Sequence, residues 1–163
     1  MIELLAAAAV APWAHPLAFP PLPGWRTGAS GNVPSLYGPS PVRAPKESTA
    51  WIARNVRYRD SATEDPPNQT LAHLPSSGVI VWAVIFQGQM TEQKPISLNL
   101  GRAKHFVCCE GAYVAGGEYE LDGFGPGRAF TVYVRIYFGS RPTVASRAEA
   151  QHALSRLELP PLG

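Results

Sequence analysis

Cys108 and Cys109 stand side by side, and His105 precedes the second of them by four positions. A thiol beside an imidazole is the raw material of nucleophilic catalysis, because the base can draw the proton off sulfur and leave a thiolate. Metal ligation is the other chemistry these residue types invite. The segment Lys104 to Cys109 reads as a short strand, and on a strand alternate residues share a face. Cys108 and Cys109 therefore point to opposite sides, and His105 shares its side with Cys109. Four residues along a strand cover ~13 Å, too far for one metal or one proton to meet both groups without a bend. A vicinal disulfide would close a strained ring, so two separate thiols are expected. His15, His73 and His152 fall in unrelated segments and supply no ligand spacing. No metal and no cofactor are expected.

Three further patterns invite chemistry. Gly123-Phe124-Gly125-Pro126-Gly127-Arg128 has the glycine density of a phosphate loop. Such loops open into a helix whose amides hold the anion. This one leads into a second alternating segment, and Pro126 removes a donor, so it reads as a hairpin turn. Glu118, Glu120 and Asp122 form an acidic row on one strand face. Their spacing of ~7 Å suits a solvated face better than a calcium cage. Tyr133, Arg135 and Tyr137 make the candidate binding surface: a guanidinium flanked by two phenols could hold a protein, a glycan or a flat ligand. The same face could instead lie under a helix or another layer, and that coverage is the preferred reading. Serine nucleophiles have no elbow or other local signature.

These residues need elements to position them. Phe130, Val132, Val134, Ile136 and Phe138 alternate with Thr131, Tyr133, Arg135 and Tyr137, the period of a strand with one face on a core. Ala112–Asp122 and Ala129–Phe138 form a hairpin. With Gly123–Arg128 as its loop, Leu121 faces Phe130 and Tyr119 faces Val132, while Glu120 faces Thr131 and Glu118 faces Tyr133. A slip of one residue would drive the glutamates into the core. Val79–Phe86 is apolar on both faces and reads as the central buried strand. Trp51–Arg59 is a further strand, and Ile96–Leu100 and Lys104–Cys109 are two short ones. Residues 25–46 read as irregular chain with room for one short strand, and residues 60–69 as a loop. After Pro142 a helix begins between Thr143 and Ser146, capped by Ser146 with Glu149. Ala150, Ala153, Leu154 and Leu157 are its apolar stripe.

Composition narrows the function classes. A chain of 163 residues supports one core,. The net charge of +2 and the 16% charged content argue against a nucleic-acid partner,. Arg54, Arg57 and Arg59 cluster, but Asp60, Glu64 and Asp65 follow and offset them. Residues 2–11 are apolar apart from Glu3, the length of a signal-peptide core and too short for a membrane span. They read as an export leader; a leader without an export role, in a cytoplasmic protein, is the alternative. Five prolines between positions 12 and 23 make an extended arm,. Residues 1–24 are thus expected to be leader and arm, and residues 25–163 one domain.

Leu74-Pro-Ser-Ser-Gly-Val-Ile, Gly127-Arg-Ala-Phe, Tyr137-Phe-Gly and the closing Leu154-Ser-Arg-Leu resemble uncharacterised β-rich proteins of actinobacteria, exported or envelope-associated. The strand, helix and short edge strand at the end are similar to α+β sandwiches of the Mog1/PsbP-like type. The resemblance covers residues 51–160 and brings no catalytic residues. The expected fold is α+β: a single twisted antiparallel sheet of about six strands, one C-terminal helix packed on it and a Pro-rich irregular N-terminal arm. The expected function is a non-enzymatic binding or accessory domain for an unknown protein or small ligand. The alternatives are a small-ligand carrier with a pocket between helix and sheet, or a small thiol-dependent hydrolase.

Overall fold

The computed structural model describes residues 17–33, 47–56, 68–87, 94–106, 115–128 and 130–160. In chain order the strands are β1 (Trp25–Val33), β2 (Glu47–Arg54), β3 (Val79–Gln87), β4 (Lys104–His105), β5 (Glu118–Phe124) and β6 (Phe130–Phe138). A short helix α1 (Asn68–Ala72) precedes β3, and α2 (Val144–Ser155) follows β6. The strands form one open six-stranded sheet in the order β1-β2-β3-β6-β5-β4. Every neighbouring pair is antiparallel. The fold is α+β, with the C-terminal helix on one face.

The two-sided apolarity of β3 explains its place. Val79, Val81, Ala83 and Ile85 face the helix-side core, and Ile80, Trp82 and Val84 face a second cluster on the other side. Such a strand is stable only with cover on both faces. On the helix side, β6 contributes Phe130, Val132, Val134, Ile136 and Phe138, α2 contributes Ala150, Ala153 and Leu154, and Leu157 joins them from just beyond the helix end. Both apolar sets are those read from the sequence.

The β5–β6 hairpin keeps its faces but not its register. Leu121 pairs with Val134 and Tyr119 with Ile136, while Glu120 pairs with Arg135 and Glu118 with Tyr137. Each partner lies four residues beyond the expected one, an even shift that leaves every side chain on its expected side. The cause is that β5 runs on to Phe124. Gly123 permits this, because a Cβ there would sit 2.6 Å from the Ile96 backbone. The turn closes when the Gly125 amide donates to the Phe130 carbonyl, with Gly127 at φ 61°.

Other segments depart from expectation. Residues 25–33 form a full edge strand rather than irregular chain. β2 begins at Glu47 and stops at Arg54, since Asn55 takes a positive φ of 56° that ends extended chain,. Residues 96–99 are not a strand; Pro95 bridges Phe124, and Leu100–Arg102 is a 3-10 turn capped by the Asn99 side chain. Residues 17–24 are not an arm outside the domain. Leu17 and Phe19 belong to the core, and Ala18 bridges Glu158.

The helix start falls in the expected interval, with different partners. Thr143 is the N-cap: its Oγ1 accepts from the Ser146 amide at 3.0 Å, and Ser146 Oγ accepts from the Thr143 amide at 2.7 Å. Glu149 instead meets Arg54 at 3.4 Å, tying helix to sheet. Thr143→Ala is expected to lower stability by about 1 kcal/mol in urea denaturation, with the slope unchanged. A loss below a few tenths would show that the reciprocal cap is dispensable. Among the described residues no helix is long and apolar enough to cross a membrane.

Candidate functional site

The outer face of the sheet, opposite α2, holds the side chains with the most chemistry. One cross-strand row takes a residue from each strand: Gly28, Trp51, Trp82, Arg135, Glu120 and Lys104. Residues directly opposite on antiparallel strands share a face, which is why the row forms. Its β1–β3 half is apolar and closed. The Trp51 indole lies across Gly28, where a Cβ would be 2.3 Å from the indole nitrogen. Trp51 and Trp82 pack with Ile80, Val84, Leu71 of α1 and Tyr137.

The other half is ionic. Arg135 Nε donates to Glu120 Oε2 at 3.4 Å, and its Nη1 lies 3.6 Å from Glu118 Oε1. Lys104 Nζ meets Asp122 Oδ1 at 3.5 Å across the β4–β5 edge. The guanidinium also stacks on the Phe106 ring, 4.6 Å from its centroid. The acidic row is therefore not the solvated face expected from its spacing. The side chains of Glu118, Glu120 and Asp122 keep only 21%, 18% and 15% of their exposure. Among the described residues the row sets these three carboxylates beside two cations, Arg135 and Lys104. Charge pairs at this depth feel a lower dielectric than surface pairs, so each is worth more and screened less.

The expected trio separates. Arg135 is half-buried in the ionic row, whereas Tyr137 is 1% exposed and belongs to the apolar cluster, against which the half-buried Tyr133 also packs. Tyr137 therefore presents no surface. The coverage expected for this face is real for Tyr137, but it comes from the tryptophan cluster and α1, since α2 packs on the opposite face. Phe106, Glu118 and Glu120 are the contacts of Arg135 that the trio left out. Strand alternation put Arg135 and the glutamates on one side, but only the true register shows that they meet.

His105 lies on β4, exposed, with its ring edge-on to Tyr119 at 5.4 Å between centroids. Cys108 and Cys109 lie outside the described residues, so the thiol site enters no geometry here. The Gly123–Arg128 segment leads into a strand and not a helix, but Gly123 and Phe124 still belong to β5 and the hairpin turn starts only at Gly125. Among the described residues no three His, Cys, Asp or Glu side chains gather as a metal site.

Comparison with known proteins finds no matching family model, no matching curated protein and no matching solved structure.

Proposed function

We propose that this protein is a non-enzymatic binding domain, exported or associated with the cell envelope, that holds a protein or small ligand on the ionic half of its outer sheet face. The observation that carries the reading is the fixed position of Arg135, held between two carboxylates and stacked on Phe106. A guanidinium locked before the partner arrives loses little freedom on binding, and Arg is among the residues that dominate interface energetics. The close packing of α2 favours this face over a pocket between helix and sheet. Ala150, Ala153 and Leu154 are all fully buried there, and the small alanines let helix and sheet approach. The apolar run at residues 2–11 and the likeness to envelope-associated β-rich proteins support the location.

Lys104→Glu tests the surface: that side chain is 77% exposed, so solvent screens much of the repulsion the change introduces beside Asp122,. Wild-type and variant proteins of equal thermal midpoint are used as bait in envelope extracts. A partner or ligand retained by the wild type and lost by the variant is the expected result. Equal retention by both, or none by either, overturns the reading. Mass spectrometry of the mature N-terminus tests the location, and an intact formylated or acetylated Met1 in the cytosol would refute export.

A further inference from the structure

On the helix side of the sheet, far from the ionic row in the pairing pattern, a second arginine has a different environment. Arg54, Arg135 and Arg147 are the half-buried arginines among the described residues. Arg54 meets Glu149, and Arg135 meets Glu118 and Glu120. Arg147 meets no carboxylate among the described residues. Its guanidinium sits over the rings of Tyr119 and Phe138, at 5.3 and 5.1 Å, and its Nη2 donates to the Tyr119 hydroxyl at 3.2 Å.

Ring faces offset part of the cost of drawing a cation out of water, but they accept few of its five N–H donors. The hydroxyl takes one. A guanidinium fork matches an oxyanion through two parallel hydrogen bonds, and this one is already oriented on a rigid helix and two rings. Tyr119 adds a hydroxyl proton that its bond from Arg147 leaves available. His105, exposed and packed against the same Tyr119 ring, brings a third donor to the neighbourhood. Gly117, at φ 93°, keeps it open: a Cβ there would lie 3.3 Å from both His105 Nε2 and the Tyr119 ring edge.

We propose that Arg147, with Tyr119 and His105, binds an oxyanion, a carboxylate or phosphate group carried by a small ligand. The site lies on the opposite face from the ionic surface and is independent of it.

Calorimetric titration of the folded protein with inorganic phosphate and, separately, with acetate tests this. The wild type is expected to bind one of them saturably, with Kd on the order of 1 mM. Arg147→Gln is expected to weaken that binding at least about tenfold, the size of one charge-assisted interaction. Preference for phosphate assigns the site to phosphoryl ligands, and preference for acetate assigns it to carboxylates. Tyr119→Phe, which keeps the ring, serves if Arg147→Gln fails to fold, and is expected to weaken binding several-fold. Lys104→Glu is expected to bind the anion as the wild type does, which separates this site from the outer face. No saturable binding by the wild type, or an unchanged Kd in a folded Arg147→Gln or Tyr119→Phe protein, overturns the proposal.

Discussion

Replacing Leu17 and Phe19 together by alanine is expected to remove about 5 kcal/mol of stability, a large part of the roughly 5–15 kcal/mol that keeps a domain folded. Leu17 is wholly buried and Phe19 is 6% exposed, both against the helix-side core. Between them Ala18 exchanges two backbone hydrogen bonds with Glu158, at 3.3 and 2.8 Å. That bridge sets Leu17 and Phe19 on the core side, beside Leu157 and Leu159, so the N-terminal segment and the chain after α2 clasp each other over one end of the core. Each truncation leaves a cavity, and the two sites are close enough that their effects do not simply add. Urea denaturation measures the loss. A combined effect below about 1 kcal/mol would mean that the core closes without the segment. The consequence reaches export: any processing that leaves a folded domain must cut before Leu17, upstream of where a Pro-rich arm ending at residue 24 would have allowed it.

The reach of the sequence follows from how local each signal is. β3, β6 and α2 were legible because their patterns are contained in the segments: two-sided apolarity, strict alternation and a helical stripe. The faces of the β5–β6 hairpin were legible for the same reason, since parity follows from alternation. Its register was not, because it depends on whether Gly123 continues the strand, and the Ile96 backbone decides that from a distant segment. Residues 25–33 hide their strand because glycines at 28 and 31 break the alternation. Gly28 is there for the Trp51 indole, a contact between strands. The proline-rich stretch before Gly24 hides its role likewise: proline excludes helix but not an extended segment that buries Leu17 and Phe19,. At the outer face, the sequence named Arg135 but not its partners. Phe106, Glu118 and Glu120 reach it only through the β4–β5–β6 pairing.

Arg135→Met is expected to separate the structural from the recognition role of the ionic row. The change keeps an unbranched apolar stem of similar length against Phe106 and removes the cation between Glu118 and Glu120. Breaking a fully buried ion pair costs about 3–5 kcal/mol. Here the three side chains keep between 18% and 23% of their exposure, so solvent relieves part of the cost. A loss of about 2 kcal/mol is expected. Adding Glu118→Gln and Glu120→Gln is expected to restore at least half of it, because the repulsion between the two carboxylates then disappears with the charge. The triple variant is the decisive protein: it is expected to fold, and it keeps only the Lys104–Asp122 pair of the ionic row. Partner or ligand retention is expected to fall at least about tenfold in it, the effect of losing one well-held interfacial arginine. Arg135→Lys keeps the charge but cannot hold both carboxylates in one plane or stack on the Phe106 ring, so it is expected to fall between wild type and Arg135→Met. If Arg135→Met is as stable as the wild type, the row is not a coupled unit. If the triple variant binds as the wild type does, the arginine serves only the sheet, and recognition lies off this face.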